Sequence, residues 1–257
     1  MVEITENHVR EMSKTAAKRI VDGIVANQHL IAAGGIDTPL RLCHFMAQLA
    51  HESAHFRVTR EFASGAAYEG RKDLGNTKKG DGKRYRGRGL IQTTGRANYA
   101  EATRDIQKMD PKAPDFEKTP DALEEFPWAL LAGISYWRRR NINRHADRDD
   151  VQAVTRAING GLNGLADRTR YLRKAVAIWM AETTPTGKVG LIRPGDQGDA
   201  VEDLQRELVE AGYKLWVDGD YGAHTKEAVL DFQARHDLEP DGIIGPATWA
   251  VLRASSA

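Results

Sequence analysis

The chain has 257 residues, 41% of them hydrophobic and 28% charged, a composition that can bury a core and excludes the collagenous and disordered classes. No uncharged apolar run approaches the roughly 20 residues of a membrane-crossing helix, the first residues lack the apolar stretch of a secretory signal, and a single cysteine, Cys43, excludes an internal disulfide and a thiolate zinc cluster. The net charge of +1 hides an asymmetry: residues 188–257 hold 7 Lys and Arg against 13 Asp and Glu, whereas residues 1–187 hold 30 against 23. The basic part suits a polyanion such as a bacterial wall, an anionic membrane or nucleic acid, or is simply a solvated surface.

Apolar positions recur at helical spacing over residues 9–25, 39–56, 127–139, 151–158 and 171–180, so the first 182 residues are expected to be mainly helical. Thr38 and Pro39 supply a cap and a first-turn proline for the second of these stretches. On a helical wheel its Leu42, Phe45, Met46, Leu49, Ser53 and Phe56 form the core face, and Glu52 falls on the border between core and solvent. Residues 65–95 carry eight glycines among many charges, too broken for a long helix. A loop of that length inside a compact domain is expected to be functional.

A small-residue stretch at 183–188 reads as a linker between a domain over 1–182 and another over 189–257. In the latter, Asp218-Gly-x-x-Gly-x-x-Thr225 recurs 23 residues later as Asp241-Gly-x-x-Gly-x-x-Thr248. Each copy reads as a turn followed by a helix with Thr near the cap, giving a compact bundle with helices over 201–211, 226–232 and 249–252. The aspartate spacing is not that of a calcium loop, so turns are expected there.

The border position of Glu52 favours a carboxyl that stays protonated, which is what a general acid needs. Glu61 follows nine residues later, and Glu69 lies deeper in the loop. Glycosidic bond cleavage requires a second carboxylate across the sugar from the acid, and either residue can supply it. Glu61 is preferred for its proximity to the helix carrying Glu52. A rival chemistry shares these residues: His51-Glu52-x-x-His55 has the spacing of a zinc peptidase helix, although Val58 and Glu61 occupy the places where an extended motif needs Gly and His. Farther on, the glycines of Tyr85-Arg-Gly-Arg-Gly-Leu-Ile-Gln92 let backbone approach a ligand closely, while Gln92, Thr93, Thr94 and Asn98 offer amides and hydroxyls suited to sugars or water. No strand precedes these glycines and the Walker lysine is missing, which argues against a phosphate cradle. Asn159-Gly-Gly, with Arg168 nearby, interrupts the helical pattern and adds further amides, or is a plain turn.

Taken in order, Ala50-His-Glu-Ser53, Tyr85 to Gln92 with Asn98 and Tyr99, and Ile158-Asn-Gly-Gly161 with Asp167 and Arg168 resemble the family 19 glycoside hydrolases, the chitinase class, and most closely their phage endolysin branch. The resemblance spans residues 37–179. It implies a lysozyme-like, mostly helical fold with a cleft and an inverting mechanism that needs no metal or other cofactor. It also implies Glu52 as general acid, Glu61 as base with Glu69 left open, and Thr94 holding the attacking water. Tyr85, Gln92, Asn98, Tyr99, Asn159 and Arg168 are implied as substrate contacts. Residues 193–253 resemble a short three-helix peptidoglycan-binding domain, which implies Asp218, Tyr221, Asp241 and Trp249 as wall-binding residues. Together the two resemblances imply a monomeric endolysin that cuts β-1,4 bonds of bacterial peptidoglycan, made in the host cytoplasm and dependent on a holin to reach the wall. They imply no nucleic-acid partner and no stable membrane insertion. A zinc-dependent peptidase or amidase of the same wall is the rival reading, and a non-catalytic wall-binding protein is the third.

Overall fold

The computed structural model describes residues 2–180 and 191–255, so the expected linker at 183–188 lies outside the described residues. Among them there is no strand, only four isolated β-bridges. The helices of the first part are α1 (Glu6–Met12), α2 (Lys18–Ala26), α3 (His29–Ala33), α4 (Pro39–Glu52), α5 (Asp81–Arg84), α6 (Arg96–Met109), α7 (Trp128–Arg139), α8 (Asn143–Ala146), α9 (Val151–Asn159) and α10 (Leu165–Trp179); those of the second are α11 (Asp199–Glu210), α12 (Ala223–Arg235) and α13 (Pro246–Ser255). Each part has its own cluster of buried apolar side chains, one running from Ile4 to Trp179 and the other from Ile192 to Leu252. No helix among the described residues is long and apolar enough to cross a membrane.

α4 organises the larger core. Thr38 caps it by accepting from the Arg41 N–H at 3.2 Å, with Pro39 in the first turn, as the sequence predicts. Burial is broader than one face, for every residue from Leu42 to Ala50 is buried, including His44 and Gln48. α10 packs along it. The expected helix end at Phe56 is not reached: α4 stops at Glu52, and Ala54, His55 and Phe56 all adopt left-handed backbone, with φ of 51°, 69° and 59°. Ser53 explains the stop, because its hydroxyl donates back to the Leu49 carbonyl at 2.6 Å and accepts the Phe56 N–H at 3.1 Å, local bonds that compete with helix continuation. Ser53 and Phe56 are still fully buried, so the chain folds back into the core just beyond Glu52.

Two other differences have plain causes. The helical pattern over 9–25 is two helices, broken where Ser13 and Thr15 bond each other through their side chains at 3.3 Å. α6 was not anticipated, because its buried stripe is only Tyr99, Ala102 and Ile106, too narrow to stand out from its polar neighbours. The glycine-rich segment 65–95 is an ordered loop carrying two 3₁₀ turns and α5. It is pinned to residues 59–61 by the Arg60–Arg88 bridge and by the Gly89 N–H donating to the Thr59 carbonyl at 2.8 Å, while the Arg88–Thr93 bridge closes a turn within it. Behind it, Arg88 is buried, donating to Glu124 at 2.8 Å, Asp121 at 2.5 Å and the Tyr99 hydroxyl at 2.9 Å.

Candidate active site

Glu52 is the last residue of α4, where the helix hands over to the left-handed turn. Its side chain is 19% exposed. Oε1 accepts from the Arg168 guanidinium at 2.5 Å, and the same guanidinium donates to Gln48 one turn earlier on α4. Arg168 itself is 1% exposed, so the pair is fixed from the protein side and the other Glu52 oxygen has no protein donor among the described residues. Glu52 lines a cavity of 230 Å³ together with Gln92, Thr94, Asn98, Tyr136 and Asn159. Amides and hydroxyls therefore dominate the polar part of its wall.

Glu61 approaches the same region from the other segment. Its Oε1 accepts the Gly87 N–H at 2.7 Å and its Oε2 accepts the Tyr68 hydroxyl at 3.0 Å, while its own N–H donates to the Gly87 carbonyl at 3.0 Å. Burial, then the bond to Glu61, pushes the Tyr68 phenol above its ordinary pKa, so the phenol stays a donor to the carboxylate. A methyl group placed on Gly87 would sit 2.8 Å from Gln92 Oε1, 3.3 Å from Thr94 Oγ1 and 3.4 Å from the Glu61 carboxyl carbon. Three polar groups converge on that one glycine, which explains why no side chain occupies it. Gln92 and Thr94 thus border Glu61 as well as the Glu52 cavity.

Glu69 does different work. Its two oxygens accept the Gly80 N–H at 2.7 Å and the Gly82 N–H at 2.8 Å, tying the loop at the start of α5. Both of its oxygens are thereby committed to backbone donors.

Several expected contacts are corrected. Tyr85 is 1% exposed, packed between Arg84 and Arg96 with its hydroxyl donating to the Glu117 carbonyl at 3.1 Å, and so faces no cleft. Tyr99 is fully buried against Arg88, donating to the Arg86 carbonyl at 2.6 Å. Burial drives its phenol well above the ordinary range. Arg168 stands behind Glu52, where it can orient that carboxyl but meets no ligand from the cavity. Gln92, Thr94, Asn98 and Asn159 do line the cavity, the asparagines donating to the Thr94 and Asn163 carbonyls. Tyr68, Gln48 and Tyr136 escape the sequence reading; a glutamine one turn before Glu52, between Ala47 and Leu49 of the core stretch, is the signal available for Gln48.

The His-Glu-x-x-His spacing does not become a metal site of the expected kind. His55 lies beyond the helix end, so the two imidazoles do not share a helical face. The Nδ1 atoms pair instead with α10, His51 with Asp167 at 2.7 Å and His55 with the Tyr171 hydroxyl at 2.5 Å. A methyl placed on Gly164 would lie 2.4 Å from His51 Cε1 and Nε2, so the glycine backbone closes that side of the ring. Among the described residues no group of three or more His, Cys, Asp or Glu side chains is arranged to hold a metal ion.

In the small domain two of the expected wall-binding residues, Tyr221 and Trp249, are core residues. Tyr221 is 1% exposed and donates to the Gly242 carbonyl at 2.7 Å, and Trp249 is 8% exposed. Asp218 and Asp241 belong to a side-chain clamp that occurs twice. Gln205 Nε2 donates to Asp218 Oδ1 at 2.8 Å, the Asp220 carbonyl at 3.0 Å and Thr225 Oγ1 at 3.1 Å, while Gln205 Oε1 accepts the Asp218 and Gly219 N–H groups at 2.9 Å. Gln233 repeats this with Asp241 at 3.0 Å, the Ile243 carbonyl at 3.0 Å, Thr248 at 3.4 Å and the Gly242 N–H at 2.9 Å. The threonines are members of these clamps, not helix caps; Gly222 holds the cap position of α12.

Residues 197–252 match the putative peptidoglycan binding domain family. A Haemophilus influenzae protein described as containing a glycosyl hydrolase family 19 domain is 35% identical over 113 residues, 44% of this chain and 52% of that protein. A probable N-acetylmuramoyl-L-alanine amidase of Bacillus licheniformis is 37% identical over 90 residues, 33% of this chain and 25% of that protein. A zinc D-Ala-D-Ala carboxypeptidase of Streptomyces albus G is 43% identical over 65 residues, 23% of this chain and 25% of that protein. The chain thus spans about half the length of the first of these curated relatives and a quarter of the other two. Among solved structures, chitinase C from Streptomyces griseus HUT6037 aligns with a TM-score of 0.52 at 18% identity, covering 69% of this chain and 92% of that one. The architecture is accordingly that of a mainly helical, family 19 chitinase-like domain followed by a small helical domain of the peptidoglycan-binding type.

Proposed function

We propose that this chain is a cell-wall hydrolase that cuts β-1,4 glycosidic bonds in the glycan strands of bacterial peptidoglycan, with inversion at the anomeric carbon. The observation that carries the reading is a pair of carboxyls bordering the same polar residues from separate segments: Glu52, at the end of α4, lines the cavity with Gln92 and Thr94, and Glu61, paired with Gly87, lies beside those two residues. Glu52 protonates the leaving glycosidic oxygen while Arg168 fixes its orientation. Glu61, held by Gly87 and Tyr68, takes a proton from water as that water attacks the anomeric carbon from the opposite face. Thr94, beside Glu61, holds the attacking water, and the amides of Gln92, Asn98 and Asn159 receive the sugar hydroxyl and acetamido groups. One bond breaks, one forms, and the proton gained by Glu61 replaces in balance the one Glu52 gives up.

The match of residues 197–252 supports peptidoglycan as the polymer on which the enzyme is held. A phage endolysin is the biological setting we favour: a monomer made in the host cytoplasm, reaching the periplasmic wall through a holin lesion and lysing the cell. Digestion of purified peptidoglycan tests the chemistry. New reducing ends whose first-formed anomer is inverted, undiminished by a chelator, are expected. Release of stem peptides with chelator-sensitive activity and no reducing ends would establish the rival zinc amidase reading, which the name of the Bacillus relative favours.

A further inference from the structure

The two copies of the glutamine clamp allow a comparison inside one small domain. Both are built from the same Gln, Asp, Gly and Thr with nearly the same hydrogen bonds. Leu215 and Leu238 hold equivalent places three residues before the aspartate of each turn, Asp218 and Asp241, and the next residue is Trp216 in the first copy and Glu239 in the second. The turn therefore folds without an indole. Yet Trp216 is 86% exposed, the most exposed of the large apolar side chains in the structure, in an otherwise acidic domain. An indole that its own fold does not need and does not cover is available to a partner.

Beside it opens a pocket of 490 Å³ whose wall includes Lys214, Asp218, Asp220, His224 and Thr225. The Asp218 carboxyl is held below its ordinary pKa by the Asp220 N–H and by Gln205, so it is an anion with an acceptor oxygen to offer. A flat apolar ring beside a shallow pocket of acceptors and short donors matches a pyranose, which has an apolar face for the ring and equatorial hydroxyl and acetamido groups for the rim. We infer that Trp216 is the glycan-contacting residue of the small domain, stacking on an N-acetylhexosamine of the wall polymer while Asp218, Asp220 and His224 meet its polar edge. This inference rests on the wall-hydrolase reading for the identity of the polymer, but not on the assignment of any catalytic residue.

The test uses the full chain and soluble N-acetylglucosamine oligomers, followed by tryptophan fluorescence and by co-sedimentation with peptidoglycan stripped of its stem peptides. Trp216→Ala is expected to weaken both at least about tenfold, in keeping with the loss of an exposed aromatic anchor. Trp216→Phe should recover most of the binding. Circular dichroism controls for folding, and cleavage of short soluble glycans should be unchanged by either substitution, since the cavity of Glu52 is untouched. Binding by Trp216→Ala equal to wild type overturns the inference. So does competition by free stem peptide in place of glycan oligomers, which would make the site a peptide site. Wild-type binding in a chain that hydrolyses nothing would refute the proposed function and leave this site standing.

Discussion

Replacing each loop glutamate by glutamine separates a base from a structural tie. Glu61→Gln keeps a carbonyl oxygen for the Gly87 N–H and an amide beside Tyr68, so the fold loses little, but it removes the carboxylate that borders Gln92 and Thr94 of the Glu52 cavity. Loss of a general base costs about 10²- to 10⁴-fold in turnover. Glu69→Gln has the opposite profile. One carbonyl oxygen cannot serve both the Gly80 and Gly82 N–H groups, and the bond that survives loses its charge assistance. On an exposed loop that amounts to about 1 kcal/mol, or about 2–4 °C in Tm for a protein of this size. Activity should fall less than about tenfold, through loosening of the loop that carries Tyr68. Turnover on soluble glycan fragments and thermal melts of the two variants decide the matter. A dead Glu69→Gln enzyme with an unchanged Tm, beside an active Glu61→Gln enzyme, would refute the assignment and move the base into the loop.

Arg168→Met is expected to cost about 3–5 kcal/mol, because Gln48 and Glu52 lose the buried guanidinium that joins them; Arg168→Lys should fold yet lose at least about tenfold in turnover, since an ammonium cannot reproduce the two-pronged geometry. Melts and initial rates measure the two effects. The Asp81 carboxyl is held below its ordinary value of 3.8 chiefly by the Arg96 guanidinium, so its contribution is complete above about pH 4 and fades as pH falls through the lowered value. The Tm difference between wild type and Asp81→Asn should therefore shrink on going from pH 6 to pH 3, and a gap that widens would contradict the sign. A chain ending at residue 180 keeps the whole of the larger apolar cluster and should cleave short soluble glycans at the full-length rate while clearing intact wall more slowly, an effect of tethering. Equal losses on both substrates would mean that the small domain stabilises the large one.

Much of the scaffold was readable because it depends on local pattern. The Thr38–Pro39 start of α4, the apolar stripe of α7 and the repeated turns of the small domain are set by residues close in sequence, and they appear where periodicity puts them. α6 is hidden because its buried stripe is only Tyr99, Ala102 and Ile106, a pattern its polar neighbours mask. The resemblance implies Tyr85 and Tyr99 as ligand contacts, and both rings are instead buried against arginines. An aromatic ring beside a flexible glycine segment looks alike in sequence whether it meets a sugar or an arginine.

The zinc spacing and the proposed general acid share the five residues from His51 to His55. Which chemistry those residues can perform turns on whether the helix runs one more turn past Glu52. Had it continued, His51 and His55 would stand on one face at the distance a metal requires. The hydroxyl of Ser53 instead closes on Leu49, the next residues turn left-handed, and the core claims Phe56. That stop leaves Glu52 at a helix end opening on the cavity, turns the imidazoles toward Asp167 and Tyr171, and directs the chain on toward Glu61. Three consecutive non-glycine residues in left-handed backbone are a costly arrangement, retained where surrounding contacts overdetermine it. Here the buried ring of Phe56 and the Ser53 bonds provide those contacts, so a strained turn that no periodicity analysis detects is what separates a two-carboxylate cleft from a metal helix.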